Sequence, residues 1–504
     1  MEKEKKKIDW ATMLIPFAIV VALMALFMIY PDRSKTTVDM LRGYFGDTIG
    51  LYYPLLAIGS VVCALYVAMT PRYGNIKLGD NATPAYSDFK WGTMIFTSTM
   101  AADIMFYSLI EWALYGGEQH VQDLGGIEMW AETFTLFHWG PLAWGFYVIL
   151  AVCFGFMMHV RKRDGQRFSE ACRPQLGNMV DGFVGKLIDV IAIFAIVCAT
   201  ATTFSLATPL LTKAMGTVLG FNITTAVTIL VLLLICSVYT ITVLFGVKGI
   251  SKLASICSYL FFAILLYFLF LGGETRYIIE SGFQSLGNML QNFIRLATYM
   301  NPSRTDGFVQ NWTIYYWAYW LVWCVATPFF IALISKGRTL RNVVYGTFGW
   351  GLAGTYMSFI ILGGYGLSMQ MKHGMDAIGF ISNGGEMYEA ILMIFDTLPL
   401  PSLALLLLVI TMIAFYSTTL DGITYVTSSY SYKQISAEEE PSRKIRAFWS
   451  IILILLPIAL LFAENTLYSL QGVTIIAAFP IGLLLILIVW SFFKDANHWL
   501  KSQK

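Results

Sequence analysis

Between Trp312 and Trp323 the chain places four tryptophans and three tyrosines within twelve residues. At helical spacing Trp312, Tyr316, Tyr319, Trp320 and Trp323 fall on one face. The chemistry such a face offers is electrostatic. Aromatic rings present negative quadrupole density, and a trimethylammonium group surrounded by them gains ~2 kcal/mol or more per well-placed ring once desolvated. The competing reading is an interfacial aromatic belt or bulky helix packing. Belts sit at the ends of hydrophobic stretches, whereas Tyr319 to Trp323 lie well inside one that continues to Ile334. A second set runs from Phe137 to Tyr147. Pro141 removes a backbone donor there and kinks the helix, which allows Trp139, Trp144 and Tyr147 to converge on one pocket. His138 beside them is either a proton carrier or a packing residue.

Ionisable side chains within apolar stretches are the next candidates, since each costs at least ~2.5 kcal/mol at the centre of a bilayer unless paired. The deepest are Asp103 and Asp421; Glu111 shares a helical face with Asp103 but lies nearer a water boundary. Asp103 either pairs with a cationic head, binds a coupling proton, or makes a structural hydrogen bond; for Asp421 the structural role is favoured. Hard cations need oxygen ligands. Thr418 and Thr419 offer hydroxyls to a sodium ion, to be completed by carbonyls where the helix around Thr97 and Met100 unwinds. Thr200, Thr202, Thr203 and Ser205 offer a second such place, although membrane hydroxyls commonly bond back to their own turn.

The elements that must position these groups follow from composition. Of 504 residues, 57% are hydrophobic and 13% charged, and the mean hydropathy is +0.66. This is an all-α polytopic membrane protein. Apolar windows of spanning length occur twelve times, at about 11–30, 51–69, 91–115, 134–159, 183–211, 223–246, 251–272, 313–335, 342–367, 401–430, 446–464 and 468–493, numbered here as spans 1 to 12. With the amino terminus inside, 25 of the 33 lysines and arginines fall on that side, which places both termini in the cytoplasm. The basic residues are therefore topology signals and not a nucleic-acid site. Residues 278–294 repeat apolar positions every three or four, as a helix lying in the interface or packed under an outer loop would.

Other chemistries lack their residues. The seven cysteines stand singly, without metal-ligand or paired spacing. No nucleophile, base and metal constellation indicates an enzyme, no phosphate-binding loop indicates a primary pump, and no cofactor is expected. A non-transporting osmolyte sensor is the alternative from another class. Spans 3 and 8 are each unusual and stand five spans apart, the spacing that two inverted five-helix repeats would give.

Together these residues resemble the betaine/choline/carnitine transporter family. The likeness is carried by Trp312 to Trp320 followed by Ser335-Lys-Gly-Arg-Thr-Leu-Arg341, by Phe137-His-Trp-Gly, and by Gly74-Asn-Ile-Lys-Leu-Gly79. It implies a leucine-transporter-like five-plus-five inverted repeat preceded by two extra helices. The domains are then 1–90, 91–272, 273–312 for the interfacial connection, 313–493, and a tail 494–504. It also implies a homotrimer in the inner (cytoplasmic) membrane, and a central box of Trp139, Trp144, Tyr147 and Trp320 with Tyr319 and Trp323 nearby. Tyr319 departs from the family's usual second tryptophan. Span 3 departs further: sodium-coupled betaine carriers have Gly-x-Gly-x-Gly there, and this chain has Ala101, Asp103 and no glycine between Thr97 and Ser108. An aspartate in that place resembles the choline branch, and an ionised carboxylate would repel a substrate bearing its own. Exchangers of the family carry an arginine in span 7 where this chain has Cys257 or Ser258.

The expectation is a secondary active transporter of trimethylammonium compounds, favouring choline or trimethylamine over zwitterions. The substrate sits against Trp139, Trp144, Tyr147, Trp320, Trp323, Tyr319, Asp103 and Met100. Na+ or H+ is the coupling ion, with sodium at Thr418, Thr419, Thr97 and Met100. The alternative is a glycine betaine or carnitine/butyrobetaine transporter or exchanger.

Overall fold

The computed structural model describes residues 8–79, 83–98, 101–163, 165–245, 247–435, 439–462 and 467–503, with backbone alone over 242–245, 247–254, 459–462 and 467–470. Among the described residues, helix forms most of each of the twelve apolar stretches. Seven stretches are long and apolar enough to span singly: Trp10–Ile29, Tyr52–Met69, Ile127–Val160 with an interruption at Trp139 and Gly140, Phe183–Leu219, Leu340–Lys372, Pro401–Tyr430 and Gln471–Ser502. Spans 6 and 11 are the helices Thr225–Phe245 and Arg443–Phe462. Span 7 runs from Val247 to Leu271 with its last turn loosened. Span 4 begins seven residues before its apolar window, and span 5 continues to Leu219.

Spans 3 and 8 are broken. Asp88–Thr97 and Ala102–Gly116 meet at 67°, and Val309–Trp323 and Thr327–Ile334 meet at 52°. In span 3 Ala101 adopts an extended conformation before the second half, whose first turn holds Asp103. In span 8 Pro328 opens the second half, where its missing N–H leaves no intrahelical bond unmade. Two leading helices followed by two five-helix runs, each with a broken first member, is the pattern of the leucine-transporter-like arrangement. Backbone groups freed at the breaks are tolerable at membrane depth only where protein or a water-filled cavity surrounds them.

The amphipathic segment forms the helix Thr275–Thr298, turned 109° from span 7. Ile278, Ser281, Ser285 and Met289 face the first half of span 4, while Ile279, Phe283, Leu290 and Ile294 remain exposed. An exposed apolar stripe on a sharply turned helix fits the interfacial reading.

Two stretches quoted for the family likeness meet in space. The Gly74–Gly79 loop pairs with the turn after span 8, through Leu78 N–H to Arg338 O at 2.8 Å and Leu340 N–H to Ile76 O at 2.9 Å. Gly337 within that turn has φ +86, and a Cβ there would lie 2.4 Å from the Thr83 carbonyl oxygen, so only glycine fits. Arg338 reaches Asp88 at 2.7 Å and lies over the Trp91 ring, tying this turn to the start of span 3. Basic residues of the loop after span 4 are also paired, Arg163 with Asp495 at 2.7 Å and Arg173 with Asp181 at 2.7 Å.

Candidate functional site

The breaks in spans 3 and 8 face a cavity of ≈ 420 Å³. Trp139, Trp144, Tyr147, Tyr319, Trp320, Trp323 and Asp103 all line it, as do Thr97, Thr418 and Thr419. Met100 lies outside the described residues. From the aromatic end the cavity continues past Cys257 and Thr418 to Asp421, Tyr425, Ser429 and Gln166, towards the basic loop that follows span 4.

Local structure explains the convergence of the span 4 aromatics. The helix Ile127–His138 ends at Trp139, and Gly140 leads into a new helix at Pro141. A Cβ on Gly140 would meet Leu136 O at 2.4 Å, so the break requires glycine. Trp139 is thereby released from helical register and meets Trp320 at 5.7 Å between ring centroids. Trp144 and Tyr147, one turn into the new helix, meet Trp320 at 5.5 Å and 4.8 Å. Trp320 is the hub of the four rings. With the rings this close, an ammonium head has the rings' cavity-facing side to bind against, and the indole N–H groups of Trp144, Trp320 and Trp323 are buried without partners.

Asp103 sits in the first turn of the second half of span 3, where a helix N-terminus favours an anion. Tyr319 donates its hydroxyl proton to Asp103 Oδ2, and Thr203 Oγ1 lies 2.7 Å from the Tyr319 oxygen. Asp103 Oδ1 is buried and unpartnered. A carboxylate with one oxygen held and the other free beside a cavity can accept a donor or attract a cation. The Tyr319 hydroxyl that does this is absent from tryptophan, so the departure at position 319 brings its own contact.

The oxygen groups considered for sodium share the cavity wall. Thr418 bonds back to Phe415 O at 3.0 Å and Thr97 to Met94 O at 3.2 Å, which leaves hydroxyl lone pairs for a cation. Cys257 Sγ is 3.8 Å from Thr418 Oγ1. Of the second hydroxyl set, Thr200 bonds Ile196 O at 2.7 Å, Thr202 pairs with Thr474 at 2.8 Å and Thr203 with Tyr319, so these three serve helix contacts, while the Ser205 hydroxyl is buried without a partner. Asp421 pairs with Arg446 and accepts from Tyr239 at 3.3 Å, linking spans 10, 11 and 6.

Three features escaped residue-level reading. Glu111 is fully buried rather than near water, and its carboxylate accepts from Trp139 Nε1 at 2.9 Å and from Tyr115. Trp312 and Tyr316, expected on the same face as Trp320, lie beyond the end of the cavity; Trp312 Nε1 donates to Glu118 at 2.7 Å and Tyr316 stacks on His138 at 5.0 Å. Gly351 of span 9 sits against Trp144, where a Cβ would come within 2.6 Å of the ring. The glycine-rich run Gly346 to Gly354 was the available signal for such close helix approach.

A sequence profile described as BCCT, betaine/carnitine/choline family transporter, matches residues 11–500. The chain is 27% identical over 487 residues to a protein named probable glycine betaine transporter from Desulfitobacterium hafniense (strain Y51), covering 95% of each. It is 27% identical to glycine betaine transporter OpuD of Bacillus subtilis (strain 168), covering 96% of this chain and 93% of that one. To the uncharacterized transporter YeaV of Escherichia coli (strain K12) it is 26% identical, over 89% and 92%. Among solved structures it resembles a Na+-coupled sialic acid symporter in a substrate-bound outward-open state, at TM-score 0.43 and 12% identity over 90% of this chain and 86% of that one.

Proposed function

Since the chain belongs to the betaine/carnitine/choline family of transporters, multi-pass proteins of the cell membrane and not enzymes, we propose that it carries a trimethylammonium cation without a carboxylate, of the choline or trimethylamine kind. The observation that supports this is Asp103 with a buried unpartnered oxygen on the cavity that also holds the Trp139, Trp144, Tyr147 and Trp320 rings. The rings receive the methylated head, and the carboxylate attracts its charge while repelling a zwitterion's own carboxylate. Tyr319 orients Asp103, and Trp323 extends the wall. Transport proceeds by alternating access and is coupled to Na+ or H+; Thr97, Thr418 and Thr419 are the sodium ligands in this reading, with Met100 completing the set. The protein works as a homotrimer with both termini in the cytoplasm.

A second reading, glycine betaine as substrate, is favoured by the names of the Desulfitobacterium and Bacillus relatives. Radiolabelled uptake into proteoliposomes, with and without sodium and proton gradients, separates the two. Choline and trimethylamine should compete for uptake and glycine betaine should not; the reverse order sinks the Asp103 reading.

A further inference from the structure

We propose that Glu111 is a proton-binding site wired to Thr313 through Tyr115 and His138, and that its proton and the cation in the aromatic box each weaken the other's binding. The proposal rests on the reading that the box receives an ammonium head. Glu111 and His138 are both wholly buried, and neither lines the cavity. Tyr115 bonds Glu111 Oε1 and lies 2.7 Å from His138 Nδ1; His138 Nε2 lies 3.0 Å from Thr313 Oγ1. Trp139, a wall of the box, donates its indole N–H to Glu111 Oε2 at 2.9 Å.

This chain of atoms accommodates two protonation states without moving. With Glu111 ionised, Tyr115 donates to it, His138 Nδ1–H donates to Tyr115, and Thr313 donates to Nε2. With Glu111 protonated, Oε1–H donates to Tyr115, Tyr115 donates to Nδ1, and Nε2–H donates to Thr313. The states differ by one proton and by the direction of three hydrogen bonds. A proton arriving on Nε2 lets Nδ1–H pass to Tyr115 as the tyrosine proton passes to Oε1, so one proton is gained and no bond between heavy atoms changes. Trp139 donates to Oε2 in both states.

The other groups facing this network are Tyr107 on the same helix and Tyr315 and Tyr316 from span 8. Glu118 stands one ring away through Trp312, which packs on Tyr115 at 4.9 Å. No lysine or arginine joins the network among the described residues. An ionised Glu111 polarises the Trp139 indole and adds negative potential one ring from the ammonium, which strengthens a cation–π contact. The cation therefore binds more tightly when Glu111 is ionised, and by reciprocity its binding weakens that of the proton.

The test is choline binding to the purified full-length protein in detergent, by calorimetry in paired buffers of different ionisation enthalpy. Wild type should release up to about half a proton per choline bound near the midpoint of the titration, and its Kd should weaken by about tenfold from alkaline to acid buffer. Glu111→Gln should bind choline with no proton release and a Kd flat in pH, whereas Asp103→Asn should bind more weakly yet still release the proton. Unchanged release in Glu111→Gln, or loss of release in Asp103→Asn alone, overturns the proposal. Difference infrared spectra of wild type need no variant: choline added at acid pH should deplete a protonated-carboxyl band, and an unchanged carboxyl region overturns it equally. A wild type that binds no trimethylammonium probe instead removes the reading of the box itself.

Discussion

The two halves of the aromatic column in span 8 are built from the same residue types and behave differently. In the half from Tyr319 to Trp323 the side chains line a cavity, and the indole N–H groups of Trp320 and Trp323 have no partner. In the half from Trp312 to Tyr316 the rings are buried against Tyr115, His138 and Tyr107, and Trp312 is tied to Glu118. The first half borders the cavity; the second is packed into the bundle. Ring type alone does not assign a role. What differs is whether the ring borders the cavity or is packed all round by protein.

Substitutions can break or sharpen that comparison. The largest effect is expected from Trp320→Leu, which removes the ring that touches the other three. Losing ~2 kcal/mol of cation–π attraction should raise the half-saturation concentration for choline uptake about 30-fold, and an unchanged value would end the distinction between the halves. Asp103→Gly comes next. Choline affinity in a competition assay should fall about tenfold, equivalent to about 1.4 kcal/mol, while glycine betaine gains as a competitor.

On the packed side Trp312→Phe should leave choline affinity within about threefold, yet lose the charge-assisted bond to Glu118 and about 1.5 kcal/mol of stability. A lowered melting temperature with intact uptake would sharpen the contrast, and a collapse of affinity would erase it. The smallest effect concerns neither half. Burial raises the Glu274 carboxyl, but hydrogen bonds from Lys372 and His373 outweigh that and hold it below its ordinary 4.5. An acid lowered on folding contributes stability above its unfolded value, and that contribution is lost as pH falls through the folded one. The melting temperature of wild type should therefore dip slightly more than that of Glu274→Gln in acid below about pH 4.5.

Much of the scaffold was legible because apolar run length reports on a bilayer directly. A break in span 3 near Thr97 and Met100 was expected with the sodium ligands, and helix does stop at Thr97 and resume at Ala102. The open box was harder. Helical spacing grouped Trp312 and Tyr316 with Trp320, and only the path of spans 3 and 4 across that face shows where the cavity ends. Glu111 looked close to water because it stands five residues before the end of its helix, but Tyr115, His138 and Trp139 cover it.

By itself the sequence determined the membrane class, the order of the apolar stretches and the aromatic inventory, because these depend on composition and local periodicity. Tertiary structure decided which rings meet: Trp139 leaves helical register at Gly140, Gly351 admits Trp144, and Tyr319 fixes one oxygen of Asp103 while the other stays free. These are contacts between residues far apart in the chain. Their energies depend on distance and burial, which no local pattern encodes.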